Sequence, residues 1–355
     1  MLPLLRVGIA GYGVVGERRR LHIDARDDMQ VIGVCDQKFD GDGVFDDGVN
    51  YWRRYTDLLN QNIDVLFVCL TNDVAASVTI DGLEKGLHVF CEKPPGRNVS
   101  DIERVIECEN RHPGQKLKYG FNHRYHDSVR DALEIVKSGE LGKVINLRGI
   151  YGKSKIINFK SDWRTKRDIA GGGILLDQGI HIVDLMRLFA GEFTEIHSFI
   201  SNDFWRHDVE DNAYALMRTA DGAVAMLHSS ATEWRHRFHL DLTLEKGSIV
   251  LSGILSGSKS YGDETLTISW ADEPGDGDPR KKTTRYTNDP SWADEITEFA
   301  NAITEGVEIQ YGTSVEALRT MELVYAIYCA DPDWCKRWHL DADIENQSPK
   351  EEVLN

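Results

Sequence analysis

A short apolar run at residues 4–10 ends in Gly11-Tyr12-Gly13-Val14-Val15-Gly16 and continues into a helix-like stretch toward Ile23. Strand, glycine turn and helix, in that order, narrow the choice of folds more than any other stretch of the chain. The first glycine permits the tight turn, the second lets a pyrophosphate reach the backbone, and the third lets helix and strand pack closely, with the helix N-terminus facing the phosphates. A second strand, residues 30–35, ends in Asp36, twenty residues past Gly16. An acid at that place accepts hydrogen bonds from the adenosine ribose hydroxyls. With Gln37 beside it, the pattern predicts a dinucleotide site. A carboxylate suits a ribose hydroxyl better than a 2′-phosphate, so NAD is expected over NADP, although Lys38 softens the repulsion.

The alternation continues. Residues 40–50 read as a glycine- and aspartate-rich loop, 64–70 as a strand leading through Thr71-Asn72 to a helix over 74–85, and 87–91 as another strand. This β-α-β order implies a doubly wound parallel sheet, an α/β Rossmann domain over residues 1–122. Ligands of such sheets sit beyond the carboxyl ends of the strands, which puts Glu92-Lys93-Pro94-Pro95 at the crevice; the alternative for Lys93 is a solvated lysine. Ser100-Asp101-Ile102-Glu103 reads as a capping box opening a helix, and 118–122 as a further strand.

After Asn122 the pattern changes to one helix over 127–137, stopped at Gly139, and then mostly strands: 143–151, 194–201, 212–218, 223–230, 239–245, 248–252 and 265–270. Short turns such as Ala220-Asp221-Gly222 predict a large, mainly antiparallel open sheet. Residues 272–278 read as an acidic surface loop, 292–304 (capped by Ser291) and 315–329 as helices, and the tail from Asp341 as frayed. Residues 123–355 are thus expected to form an α+β domain for substrate binding and oligomerisation, with the open sheet face covered by another subunit in a dimer or tetramer.

One stretch of this second half carries titratable groups at helical spacing. Gly171-Gly172-Gly173 leads into Asp177, Gln178, Gly179, His181 and Asp184. On a regular helix Asp177 and His181 stack on one face, with Leu176, Ile180, Val183 and Leu188 mainly on another, and the glycines let a flat ligand approach the backbone. An imidazole beside a carboxylate takes a proton from a hydroxyl near neutral pH. An amphipathic helix with a capped histidine is the competing reading.

These motifs, together with Gly120-Phe121-Asn122-His123-Arg124-Tyr125 and Trp163-Arg164, resemble the Gfo/Idh/MocA oxidoreductases, the glucose-fructose oxidoreductase and inositol dehydrogenase group, over residues 5–330. The resemblance implies NAD(P)-dependent oxidation or reduction of a sugar, nucleotide sugar or cyclitol. It implies Lys93 as the contact to substrate hydroxyl and nicotinamide, Asp177 as a substrate ligand and His181 as general base. Thr71, Asn72, Glu92, Asn122, Trp163 and Arg164 would line the cofactor, and Arg124 and Arg164 the substrate. The chain departs from the family at Thr71-Asn72-Asp73-Val74, where many members carry Thr-Pro and then a histidine. A redox-neutral, NAD-dependent glycosidase and a non-catalytic NAD-binding protein remain alternatives.

The chain carries a net charge of −17, which argues against nucleic acid or an anionic membrane as partner. Its first residues lead straight into a strand rather than a signal peptide, and its six cysteines show no metal-ligand spacing, so reduced thiols in the cytoplasm and no metal are expected. Charge is distributed unevenly: residues 143–167 hold eight basic side chains, Lys143, Arg148, Lys153, Lys155, Lys160, Arg164, Lys166 and Arg167, against the single Asp162. Such a concentration beside the catalytic segment predicts an anionic or nucleotide-linked sugar, gripped by Lys153, Arg164 and Arg167; the alternative is a solvated or subunit-contact loop that balances acidic patches of a neighbour.

Overall fold

The structure, a computed structural model, describes residues 4–154, 162–257, 260–271 and 279–340. The first half runs β1 (Leu5–Ala10), α1 (Val14–Asp24), β2 (Met29–Cys35), β3 (Gly43–Val44), β4 (Asn50–Trp52), α2 (Tyr55–Leu58), β5 (Val65–Val68), α3 (Asn72–Glu84), β6 (His88–Glu92), α4 (Val99–Arg111) and β7 (Leu117–Gly120). Its strands form one sheet in the order β3-β4-β2-β1-β5-β6-β7, parallel except for the β3–β4 pair. The order reverses at β1, which opens a crevice at the strand ends there. Gly11 sits at φ +89°, and a side chain on it would strike the carbonyl of Cys69; one on Gly16 would strike the carbonyl of Gly11. Both glycines are therefore demanded by close packing.

A 3₁₀ turn at Asn122–Tyr125 leads to α5 (Asp127–Ser138), closed by Gly139 in the left-handed conformation. Then come β8 (Val144–Ser154), a 3₁₀ turn at Trp163–Thr165, α6 (Arg167–Ala170), a π turn at Leu175–Gly179 and α7 (Ile180–Ala190). The remainder is β9 (Phe193–Ser201), β10 (Asn212–Thr219), β11 (Val224–Glu233), β12 (Arg237–Leu244), β13 (Gly247–Ser252), β14 (Glu264–Trp270), β15 (Arg280–Tyr286), α8 (Ser291–Thr304), α9 (Ser314–Cys329) and α10 (Pro332–Trp338). The second sheet has the order β15-β14-β13-β12-β8-β11-β10-β9 and is antiparallel except between β8 and β11. Alternation along β10 sends Ala213, Ala215 and Met217 into the core and leaves Tyr214 and Leu216 exposed on the open face. The inner face packs on α7, itself buried on all sides.

Several expectations are corrected. The loop at 40–50 contains β3 and leads into β4, which extend the first sheet past β2. Helix α4 is capped by Asn98, whose side chain accepts from the amide of Asp101, so Ser100 lies inside the first turn and forms no capping box. Ser291 is likewise the first helical residue of α8, after Pro290. Across the boundary at residue 122, Ile296, Phe299 and Ala300 of α8 pack with Val7, Phe67 and Phe90 of the first sheet. The expected acidic loop at 272–278 and the tail from Asp341 lie outside the described residues.

Candidate active site

At the crevice, Asp36 directly follows β2 and its carboxylate accepts from the amides of Tyr12 (2.8 Å) and Lys38 (2.9 Å). Gly13, which caps α1 without a side-chain hydrogen bond, has nothing within 4 Å of the place a Cβ would take, and Val14 beside it is exposed. An uncapped helix N-terminus with open space at its glycine fits a pyrophosphate. A cavity of about 330 Å³ beside Asp36 is lined by Gln37, Arg53, Leu70 and Val74 among others, a place of suitable size for adenosine. The residues present therefore fit a dinucleotide.

The glycines on either side of Asp177 face protein atoms, not a ligand. A side chain on Gly171 would strike the backbone of Arg97, on Gly172 the hydroxyl of Tyr328, on Gly173 the backbone of Glu210, and on Gly179 the hydroxyl of Ser229. The stacking of Asp177 on His181 is also corrected. The chain makes a π turn between them, with more residues per turn than an α-helix, and His181 instead stacks its ring on His123 at 3.8 Å and 11°. By length and apolarity 167–190 could cross a membrane, but 83% of the window is buried inside the protein.

Asp177 meets Lys153 at 3.4 Å, Lys93 at 3.8 Å and Arg164 at 3.8 Å, and accepts from Gln178 at 3.1 Å. Lys93 also donates to the Asp177 carbonyl. Burial acts to raise the Asp177 pKa, but Lys153, Lys93 and Arg164 outweigh it and hold the carboxyl well below its ordinary range. Burial lowers Lys93, and Asp177 and Glu92 only partly offset that. His181 is 4% exposed; burial, then the charge of Lys93, pushes its pKa far below 6.5. The histidine is a neutral, buried imidazole next to cations. Arg164 stacks on Trp163 at 4.4 Å, at the edge of this group.

Several of the other expected site residues are engaged in contacts within the protein. Arg124 is buried and does not line a cleft: it grips Asp184 with two bonds of 2.7 Å and also pairs with Glu316. Asn72 donates to the carbonyl of Ala170 at 2.7 Å, and Asn122 to the hydroxyl of Ser291 at 3.1 Å, so both tie elements together. Thr71 precedes α3 and donates to Asp73. Glu92 accepts from the buried Arg19 at 2.6 Å, which also reaches Glu295 at 2.8 Å. Arg167 donates to the carbonyls of Asp208 and Gly171 and lies over the ring of Trp338, under the glycine turn. Arg148 is on the open face of the second sheet. Lys155 and Lys160 lie outside the described residues.

A family model described as an oxidoreductase family with an NAD-binding Rossmann fold matches residues 5–121, and the Gfo/Idh/MocA C-terminal domain matches 129–250. The chain belongs to the Gfo/Idh/MocA oxidoreductases. It is an NAD(P)-dependent enzyme of the kind that acts on CH–OH groups. Myo-inositol 2-dehydrogenase of Thermotoga maritima is 24% identical over 85% of this chain and 89% of that enzyme. D-glucoside 3-dehydrogenase of Escherichia coli is 26% identical over 64% of this chain and 70% of that enzyme. Among solved structures, levoglucosan dehydrogenase in complex with NADH superposes with a TM-score of 0.79 at 20% identity, over 93% of this chain and 97% of that one.

In this Gfo/Idh/MocA chain, sequence reasoning missed the wall around His181. His123 comes from the 3₁₀ turn and bonds Tyr151 of β8 at 3.2 Å, and Tyr151 in turn packs on Tyr261. His123 stands inside the motif 120–125, a signal that pointed to its neighbour Arg124 instead. The depressed His181 pKa has an expected consequence. For a reaction that uses the neutral imidazole as base, the acid limb of kcat/KM for oxidation falls below pH 6.5, and a limb at pH 7 or above speaks against His181. On stability the sign is the same. The unfolded histidine takes up a proton near pH 6.5 and the folded one does not, so its contribution is present above that pH and is lost as pH falls.

Proposed function

We propose that this enzyme oxidises a carbinol of a sugar bearing an anionic group, with NAD as the preferred acceptor and the reduction of the keto sugar as the reverse. The observation that carries this reading is the gathering of Lys93, Lys153 and Arg164 around the one carboxylate Asp177. Arg164 also meets Asp162 at 3.7 Å and Glu92 is paired with Arg19, so three cations against two acids still leave an excess of positive charge, in a chain whose net charge is −17. That excess attracts and holds a carboxylate or phosphate on the substrate. Relatives that are sugar and cyclitol dehydrogenases support a polyhydroxylated ring.

In this reading His181 removes the proton of the substrate hydroxyl, and Lys93 donates a hydrogen bond to the same oxygen and stabilises the negative charge developing there. Asp177 fixes the ammonium of Lys93 and accepts from a neighbouring hydroxyl. The bound nicotinamide supplies the hydride chemistry. Exposed Phe199, Tyr214, Leu216 and Met226 support pairing of two copies through the open sheet face. Six free cysteines suit a reducing compartment, the cytoplasm.

The test is turnover of D-glucose, myo-inositol, D-glucuronate, glucose 6-phosphate and a nucleotide-linked glucose, followed by nicotinamide absorbance with NAD and with NADP. The anionic sugars are expected to have higher kcat/KM, falling as salt screens the site. Lys153→Ala is expected to raise KM for the anionic sugar about tenfold, the loss of one charge-assisted bond, and to change a neutral sugar's KM little. Equal use of neutral sugars, insensitive to salt and to this substitution, sinks the anionic assignment. Substrate cleavage without any absorbance change would point to the redox-neutral alternative.

A further inference from the structure

The start of the segment that carries Asp177 and His181 is a helix N-terminus buried in the protein. Its amides have no earlier turn to bond to, and a buried amide without an acceptor is costly. Three consecutive amides are satisfied by one residue from the loop before β10. The amide of Gly173 donates to Glu210 Oε2 at 2.7 Å, that of Ile174 to the Glu210 carbonyl at 3.1 Å, and that of Leu175 to Glu210 Oε1 at 2.9 Å. Glu210 is fully buried. Its Oε1 also accepts from Tyr328 of α9 at 2.6 Å, and Arg167 lies 4.0 Å from Oε2. The next link is direct, since the amide of Asp177 bonds the carbonyl of Gly173 at 2.8 Å.

We propose that Glu210 is a positioning residue for the reaction: its carboxylate, acting as a cap supplied from a distant loop, fixes the glycine turn and through it the places of Asp177 and His181. The negative charge also sits at the positive end of the helix, where it is favoured. No side chain within the segment can do this, because three glycines precede the turn and any side chain there collides with its surroundings. The proposal rests on the reading that Asp177 and His181 serve the chemistry, and it concerns a residue that touches neither.

Glu210→Gln tests it without opening a cavity. A glutamine oxygen accepts from one amide, but its NH₂ then faces the other amide, donor against donor. With the sugar from the panel that is turned over best, kcat of E210Q is expected to fall at least tenfold while the Kd for NAD, read by tryptophan fluorescence, stays within twofold. Hydrogen exchange on the NAD-bound protein gives a readout independent of turnover: amides at 173–179 are expected to exchange at least tenfold faster, with β1, β5 and β6 unchanged. Tyr328→Phe removes one bond to the carboxylate and is expected to give the same pattern at about a threefold loss of kcat. Folded E210Q with wild-type kcat and wild-type exchange at 173–179 overturns the proposal. If E210Q does not fold, wild-type kcat and exchange in Y328F overturn it instead. Active His181→Ala would refute the underlying reading of the site; inactive His181→Ala with fully active E210Q refutes only the positioning role.

Discussion

His181→Ala is expected to lower kcat by about 10²–10⁴-fold, the usual contribution of a positioned acid–base group. The Kd for NAD should remain near wild type, because the glycine turn of α1 and Asp36 belong to other elements. Some melting temperature is lost as well, since the ring stacked on His123 leaves a gap. The decisive comparison is kcat per folded molecule against Tm. Lys93→Ala should lose about 10²–10³-fold in kcat, the scale of removing one donor from a developing oxyanion. A variant of either residue that keeps turnover and loses only stability shows that the residue is structural.

Arg124→Met should act in the opposite way, with a loss of about 3–5 kcal/mol of stability, measured by urea unfolding, and little change in KM for folded enzyme. The reason is the company Arg124 keeps. Its two bonds to Asp184 and its pair with Glu316 join the turn after β7 to α7 and α9, and Asp184 is itself buried. Among the described residues, removing the guanidinium leaves that carboxylate with the hydroxyl of Thr320 as its hydrogen-bond donor. A raised KM with unchanged unfolding would return Arg124 to the substrate cleft.

The contrast between Arg124 and Arg164 shows what a sequence makes legible. Both follow an aromatic or histidine in a short motif, and nothing local separates them. Arg124 finds its partners 60 and 192 positions away, at Asp184 and Glu316, whereas Arg164 stays at the edge of the site, beside Asp177. The nucleotide half was readable because its signals are local: a glycine turn, alternating strands and helices, an acid at the end of β2. Strands β8 to β14 announced themselves by alternation or short apolar runs between turns. Strand β15 did not, because Arg280, Lys281, Lys282 and Arg285 point no apolar face inward, and the edge is held by its backbone ladder to β14. Glu210 escaped for the same reason as the partners of Arg124: its role depends on amides 35 and 37 positions away.

Between the glycine turn and α7 the backbone holds more residues per turn than a regular helix does. Both ends of this bulge are anchored, the glycines against Arg97, Tyr328 and Glu210, and α7 within the core. A one-residue deletion there would let the ladder settle into ordinary α geometry, swinging Asp177 by roughly 100° about the axis while the imidazole kept its neighbours. The bulge thus acts as a length register: one residue more or fewer in it changes the reach of one acid while the anchored segments on either side keep their places.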